Sequence, residues 1–229
     1  LYHGRILNLK KNNIKLKLRD RFILSKGHAE LAYYSVLSDF GFFSKKKLIN
    51  SYKKNDYFFG GHVSHKVPGV ELSTGSLGHG LSYGCGVALS AKLDKKKFKT
   101  VVLVGDGECT EGSVWEAALF ASKNKLNNLI AIIDNNNIAA LDYLNNFTKL
   151  NPLKKKWQSF NWEVYEINGH NFKEIFSTFK KINSSKSSMP KIIIAKTIKG
   201  KGLSFMENDP IWHTKKLDKK NEIEKGKKE

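Results

Sequence analysis

The chain has 229 residues and a formal net charge of +19, and it is long enough for one sizeable α/β domain with a single hydrophobic core. No apolar run approaches the roughly 18 residues of a membrane span, so we expect no membrane contact. Cys85 and Cys109 follow neither a metal-binding nor a disulfide spacing, which favours a reducing compartment, the cytoplasm. These features predict a single domain over residues 1–229 that ends in a charged tail at 215–229.

The positive charge comes mainly from lysine. Of the 40 basic residues only Arg5, Arg19 and Arg21 are arginine, whereas surfaces that read bases or clamp phosphates tend to use the planar fork of arginine. The lysines occur in short runs, such as those at 45–47, 95–97 and 154–156, which we assign to loops. The composition therefore favours a solvated charged surface over a specific nucleic-acid site, with a basic module that attracts phosphate unspecifically as the alternative.

The first pattern of chemical interest lies between Arg19 and Ala29. A short apolar strand at 22–24 runs into Ser-Lys-Gly-His, and Ala29 to Leu37 has the periodicity of a helix. His28 therefore lies in a strand-to-helix turn, where a histidine is more often a surface or capping residue than a catalytic one.

Turn residues dominate from 60 to 80, with GGH at 60–62 and PGVELSTGSLGHG at 68–80. A helix is predicted from Leu81 to Leu93. Its small residues allow neighbouring backbones to approach closely, so tight packing explains its glycines as well as ligand contact does.

The stretch from 100 to 141 predicts a βαβ unit, with apolar strands at 101–104 and 129–133 around a helical segment. Parallel strands end at the same edge of a sheet, so Asp106 and Asn136 should meet there. Their oxygens, with the main-chain carbonyl of Ile138, suit Mg²⁺ or Ca²⁺ rather than zinc, and Mg²⁺ with few protein ligands usually takes phosphate oxygens too. Gly107 leaves the following helix start open to such an anion.

The GDG turn alone is weak evidence, because Gly-Asp-Gly also ends ordinary strands. Two other nucleotide motifs are excluded. Thr110 stands where a Rossmann G-x-G-x-x-G needs its last glycine, and the chain contains no G-x-x-x-x-G-K-[ST] string.

The rest of the chain predicts a strand at 162–167, a helix at 172–182 and a strand at 191–196, followed by TIKGKG at 197–202 and Trp212-His213. His170 lies just beyond a strand end, where a turn explains it as well as a function does. The order of elements predicts an α/β fold whose parallel sheet carries helices on both faces.

Five motifs, taken in chain order, resemble the transketolase family. They are DRFILSKGHA at 20–29, GGH at 60–62, PGVELSTGSLGHG at 68–80, GDG at 105–107 with Asn136 30 residues after Asp106, and KTIKGKG at 196–202 followed by Trp212-His213. The family strings D-R-F-V-L-S-x-G-H-A and P-G-V-E-x-x-T-G-x-L-G-x-G match the first and third almost residue for residue. Five motifs in the right order are far stronger than any one of them.

The resemblance implies a thiamine-diphosphate-binding fold, of the type that binds the diphosphate, and roles for ten residues. It implies that Asp106, Asn136 and the Ile138 carbonyl hold Mg²⁺, or alternatively Ca²⁺. The cofactor contacts it implies are His28, Gly75, Leu77, Gly107, Glu111 and His213, and the catalytic histidines are His28, His62 and His213. In the family, the glutamate that matches Glu111 lies near the subunit interface and helps to connect two active sites.

The implied activity is that of a transketolase of the pentose phosphate pathway, which transfers a two-carbon ketol unit from a ketose phosphate to an aldose phosphate. The family glutamate that activates the cofactor's aminopyrimidine belongs to a pyrimidine-binding domain that nothing here matches. We therefore expect a separate C-terminal partner subunit, with two such pairs forming a homodimer. The family's S-G-H-x-G helix, upstream of the first motif, is also unmatched, so we expect a domain without its first helix.

The chain departs from the family at a few positions. Ser76 and His79 stand where many transketolases have Pro and Gln, and Asp142-Tyr143 replaces a usual Asp-Gly. Deoxyxylulose-phosphate synthase is the alternative enzyme, although it prefers T-G-G where this chain has Thr110-Glu111-Gly112. The alternative from another class is a degraded, non-catalytic basic binding module, against which the joint presence of the metal-site and histidine residues argues.

Overall fold

The computed structural model describes residues 1–9, 18–52, 54, 59–140, 142–215, 217 and 220–229. The strands within this part of the chain are β1 Arg21–Leu24, β2 Thr100–Gly105, β3 Leu129–Asn135, β4 Glu163–Asn168 and β5 Lys191–Lys196. The helices are α1 Glu30–Asp39, α2 Lys45–Ser51, α3 His79–Leu93, α4 Gly112–Lys123, α5 Leu153–Ser159, α6 Phe172–Ser184 and α7 Lys220–Lys228. None of these helices is long and apolar enough to cross a bilayer.

The five strands form one sheet in the order β1-β2-β3-β5-β4, and every neighbouring pair is parallel. Val101 of β2 lies opposite Phe22 of β1 on one side and Ile130 of β3 on the other. The predicted α/β class with a parallel sheet is confirmed. All five strands therefore point their carboxyl ends, and the loops that follow them, toward one edge of the sheet.

Helices cover both faces of the sheet, as predicted. Val102 and Ile192 pack on one face in the core that α3, α4 and α5 share, whereas Val101 and Ile193 pack on the other face in the core of α1 and α6. Successive residues of a strand point to opposite faces, so a sheet covered on both sides needs apolar residues at nearly every position. This explains why the strand sequences read as continuous apolar runs.

The predicted element boundaries agree with the structure to within about two residues, as in the helix predicted at 172–182 and observed as α6. The assignment of two lysine runs to loops was wrong, because Lys45–Lys47 lies in α2 and Lys154–Lys156 in α5. Ser44 caps α2 by accepting a hydrogen bond from the Lys47 amide, and buried Leu153 and Trp157 attach α5 to the core. A few well-placed residues thus make a helix of an otherwise lysine-rich segment.

Helix α3 lies very close to the sheet. A Cβ atom added at Gly84 would lie 2.5 Å from Cγ2 of Val102, so only glycine permits this approach, whereas Gly86 faces open space. Tight packing therefore accounts for Gly84 but not for Gly86.

Glu108 joins three loops at the carboxyl edge of the sheet. Its Oε1 accepts hydrogen bonds from Ser25 Oγ at 2.6 Å and from the Gly78 amide at 2.9 Å, and its Oε2 accepts one from the Gly105 amide at 2.8 Å. The side chain is buried, with 1% of the residue exposed. Gly78 has a φ of +85°, which favours glycine at this contact. One carboxylate therefore sets the relative positions of the segments after β1, before α3 and after β2.

The Glu108→Gln variant should lower the free energy of unfolding by about 1–3 kcal/mol. A glutamine accepts hydrogen bonds only at its oxygen, so its NH₂ group would face one of the buried donors that the carboxylate now satisfies. Urea denaturation followed by circular dichroism measures the change. Glu116→Gln, at an exposed position of α4, is the matched control and should change the value by less than about 0.5 kcal/mol. Equal losses in the two variants would contradict this role for Glu108.

Candidate functional site

A cleft of about 470 Å³ opens at the carboxyl edge of the sheet, between the loops that follow β1, β2, β3 and β5. Nine of the ten site residues predicted from the sequence line it: His28, Gly75, Leu77, Asp106, Gly107, Glu111, Asn136, Ile138 and His213. They come from five separate segments of the chain. The sheet topology therefore brings together residues that are up to 185 positions apart in sequence.

His62 is the predicted residue outside this lining, and it lies directly beside it. A Cβ atom added at Gly75 would lie 3.4 Å from Cδ2 of His62, so the imidazole rests against the glycine that lines the cleft. The main-chain carbonyl of His62 accepts a hydrogen bond from the Tyr34 hydroxyl, which ties this exposed loop to α1. His62 thus flanks the cleft behind Gly75.

Asp106 follows β2 and is buried, with 2% of the residue exposed. Its Oδ1 accepts a hydrogen bond from the Gly107 amide at 2.8 Å, and its Oδ2 accepts one from the Asn137 amide at 2.5 Å. Burial raises the pKa of the Asp106 carboxyl above its usual value, although these two hydrogen bonds act in the opposite direction. A carboxylate that has lost water in this way would be stabilised by a bound cation.

The turn after β3 orients the amide of Asn136. Asn136 Oδ1 accepts a hydrogen bond from the Ile138 amide at 2.9 Å, and the same side chain bonds to Asp134. Asn137, between them, has a φ of +61°, a conformation that asparagine tolerates better than most residues. The turn therefore brings Asn136 and Ile138 to the same cleft as Asp106.

The oxygens available here fit a hard divalent cation better than a transition metal. Over the described part of the chain, no group of three or more His, Cys, Asp or Glu side chains is arranged to hold a metal ion. Asp106, Asn136 and the Ile138 carbonyl offer one carboxylate and two neutral oxygens, the donor type that Mg²⁺ and Ca²⁺ prefer. With few protein ligands, such an ion would take its remaining ligands from water or a bound phosphate group.

Two lysines in the cleft were not singled out by the sequence reasoning. The buried Lys26 donates from Nζ to Asp134 Oδ2 at 2.6 Å, and Lys199 lines the cleft. Burial and the nearby charge of Lys26 lower the pKa of Lys199. Lys26 lies two residues before His28 and Lys199 directly precedes Gly200, both within family motifs, but in so lysine-rich a chain neither was distinctive. Together they make the cleft attractive to anions.

The rings of His28 and His213 lie next to each other in the lining of the cleft, with ring centroids 5.3 Å apart. Partial burial lowers the pKa of both imidazoles to about 4, and the positive charges of Lys26 and Lys199 add to the effect. Both rings are therefore neutral at pH 7 in the free protein. Neutral imidazoles beside two lysines are well suited to hydrogen-bond a negatively charged ligand.

Glu111 and His170 lie away from the centre of the cleft. Glu111 is exposed at the rim, where it precedes α4, and it lacks the buried contacts of its neighbour Glu108. The acidic residue that holds the local structure is thus Glu108, which no sequence motif distinguished. His170 lies outside the cleft, where its Nε2 accepts a hydrogen bond from the Ile198 amide.

The chain matches the family model described as transketolase, thiamine diphosphate binding domain, over residues 2–229. It is 42% identical over 195 residues to one of the subunits of the apulose-4-phosphate transketolase of Phocaeicola vulgatus, which covers 85% of this chain and 69% of that protein. It is also 42% identical over 221 residues to the corresponding subunit of the Actinobacillus succinogenes enzyme of the same name, covering 96% of this chain and 79% of that protein.

A solved structure supports the same relationship. The crystal structure of transketolase from Campylobacter jejuni superposes with a TM-score of 0.89 and 32% identity over 97% of this chain. The chain spans 36% of that transketolase. The sequence similarity, the parallel sheet and the composition of the cleft agree: the chain belongs to the transketolase family, as a thiamine-diphosphate-binding N-terminal domain similar to the separate subunits of its bacterial relatives.

Proposed function

We propose that this chain is the N-terminal subunit of a split transketolase, which transfers a two-carbon ketol unit from a ketose phosphate to an aldose phosphate. The observation that carries the proposal is the meeting of Asp106, Asn136, His28, His213 and Lys199 in one cleft at the carboxyl edge of the sheet. Such a set combines oxygen donors for a divalent cation with groups that bind a diphosphate.

In this proposal Asp106, Asn136 and the main-chain carbonyl of Ile138 hold Mg²⁺, with Ca²⁺ as a substitute of the same chemistry. The raised pKa of the Asp106 carboxyl supports this role, because a bound cation would offset the cost of keeping that carboxylate charged while buried. The ion would take its remaining ligands from water and from oxygens of the cofactor's diphosphate.

Thiamine diphosphate fits the rest of the cleft. Its diphosphate would lie near Lys199, His28 and His213, and Gly107, which has no side chain, would leave room for it. Gly75 and Leu77 would also contact the cofactor. Exposed Glu111 would lie where two active sites are connected. When bound, thiamine diphosphate supplies an electron sink that allows a carbon–carbon bond beside a carbonyl group to break.

The histidines are the groups of this chain suited to move protons. His28 is neutral at pH 7, so its imidazole would donate one hydrogen bond and accept another at the reacting end of the cleft. His62 lies against Gly75 and would reach a substrate that enters from that side. Both residues keep solvent-exposed surface, as contact with an incoming sugar requires.

A partner subunit would complete the active site. The two bacterial relatives are each one subunit of a transketolase, which supports a separate C-terminal subunit that carries the pyrimidine-binding domain, and we propose a homodimer of such pairs in the cytoplasm. These relatives carry the transketolase name, which favours this activity over that of deoxyxylulose-phosphate synthase. We propose phosphorylated sugars as substrates and no specific nucleic-acid partner.

Calorimetric titration with thiamine diphosphate and Mg²⁺ should show binding that tightens when the C-terminal partner subunit is added and disappears with EDTA. The Asp106→Asn variant should lose metal-dependent binding. Its NH₂ group would face one of the two main-chain amides that now donate to the carboxylate, so circular dichroism should show a folded protein of lower stability. Asp94→Asn, which changes an exposed aspartate beside Lys96, is the matched control and should bind as the unchanged protein does. Absence of binding with and without the partner would overturn the cofactor assignment.

Cofactor binding should also take up protons near pH 6. The negative diphosphate raises the pKa of His28 and His213 from about 4, so the complex binds more protons than the free protein over the range between the two values. Affinity should therefore increase as pH falls from 8 to 6. Calorimetry in two buffers of different ionisation enthalpy measures the uptake.

The matched comparison for this proton uptake is the double variant His28→Gln and His213→Gln. Because the cofactor's own phosphate protons contribute equally to both titrations, the difference between the two proteins reports the histidines. We expect lower uptake in the double variant. Identical uptake in the two proteins would show that neither imidazole interacts with the diphosphate.

A further inference from the structure

His170 lies on the turn between β4 and α6, outside the cleft, and contacts the segment that leaves β5. This segment, residues 197–202, is called the β5 exit segment here. The turn packs closely on it: the Gly169 amide donates to the Lys196 carbonyl at 2.8 Å, and a Cβ atom added at Gly169 would lie 2.5 Å from Cγ2 of Thr197. Only glycine permits this approach, so the turn and the exit segment are held together.

The main contact of His170 is a hydrogen bond to the backbone. The Ile198 amide donates to His170 Nε2 at 2.8 Å, which requires a neutral imidazole that carries its proton on Nδ1. The His170 amide in turn donates to Asn168 Oδ1 at 2.9 Å, and this holds the turn in shape. The side chain of His170, in the turn between β4 and α6, thus accepts a hydrogen bond from the main chain of the β5 exit segment.

The opposite side of the β5 exit segment faces the cofactor cleft. Thr197 donates from its hydroxyl to Asp134 Oδ1, and the other oxygen of Asp134 accepts from Lys26. Lys199, one residue after Ile198, lines the cleft itself. The bond to His170 therefore anchors the exit segment from outside at the residue next to its cleft lysine.

Electrostatic repulsion makes this anchor useful. Lys199 lies near Lys26 in a partly buried site, and burial together with that like charge lowers its pKa. The carboxylates of Asp134 and Asp106 attract Lys199 and partly offset this repulsion, so the position of the Lys199 ammonium group depends on where its backbone is held. Gly200 and Gly202 both have positive φ angles, so the segment beyond Lys199 follows a glycine-dependent path.

We propose that His170 is a positioning residue for diphosphate binding, because its hydrogen bond to the Ile198 amide keeps the backbone of Lys199 where the lysine side chain faces the cleft. This rests on the proposed function, in which the cleft holds the diphosphate of the cofactor. His170 itself touches neither cofactor nor substrate. Its role is to position the flexible, positively charged side chain of Lys199.

The hydrogen bond is tested directly by hydrogen–deuterium exchange of the full chain without cofactor. His170→Phe keeps a planar ring but removes the acceptor, whereas His170→Gln places an amide oxygen at the same number of bonds from Cα as Nε2. Exchange over residues 197–202 should be about three- to tenfold faster in His170→Phe and close to the original rate in His170→Gln. Equal rates in all three proteins would overturn the proposal.

The effect on ligand binding is tested by titration of thiamine diphosphate with Mg²⁺, with the partner subunit present. His170→Phe should weaken binding about three- to tenfold, and His170→Gln should restore it to within about twofold. In a Lys199→Met background, His170→Phe should have no further effect, because the group that it positions is gone. If His170→Phe weakens thiamine diphosphate binding by the same factor in that background, His170 does not act through Lys199 and the proposal is overturned.

The two measurements separate this proposal from the function on which it rests. If the unchanged protein binds no thiamine diphosphate, the proposed function fails, and the exchange rates still decide whether His170 anchors the segment. If the unchanged protein binds the cofactor and both His170 variants bind equally well, the role of His170 fails and the proposed function stands.

Discussion

The parallel arrangement of all five strands is the constraint on which the rest of the molecule depends. It places the loops after β1, β2, β3 and β5 at one edge of the sheet. Residues from distant parts of the chain meet there because the strands end there. Convergence alone would leave these loops free to separate. The buried carboxylate of Glu108, with its three donors, holds the loops around the cleft in one arrangement.

Charge in the cleft is arranged so that the site is electrostatically unfavourable without ligands. Asp106 is buried with a raised pKa, Lys199 has a lowered pKa, and His28 and His213 are held neutral. A divalent cation would offset the first of these costs and a diphosphate the others, so each ligand would improve the site for the other. Asp134 already neutralises Lys26, which leaves Lys199 as the cation whose position depends on its backbone.

The high lysine content obscured function as well as structure. Because lysines were treated as a solvated surface, the sequence reasoning overlooked Lys26 and Lys199 and assigned two helical runs to loops. In each case an uncharged residue near the lysines sets the local structure. Ser44 caps one helix and Trp157 anchors another, while glycines beside Lys26 and Lys199 bring the backbone close to other loops.

The sequence by itself determined the α/β class, the strand and helix positions and nine of the residues that line the cleft. Hydrophobic periodicity and turn residues are local signals, and the spacing between Asp106 and Asn136 needs only one βαβ unit to be interpreted. Only the tertiary structure decided that Lys26 pairs with Asp134, that Glu108 bonds to Ser25 and that His170 anchors Ile198. These partners lie 108, 83 and 28 residues apart, and such contacts depend on how the whole sheet assembles rather than on any local pattern.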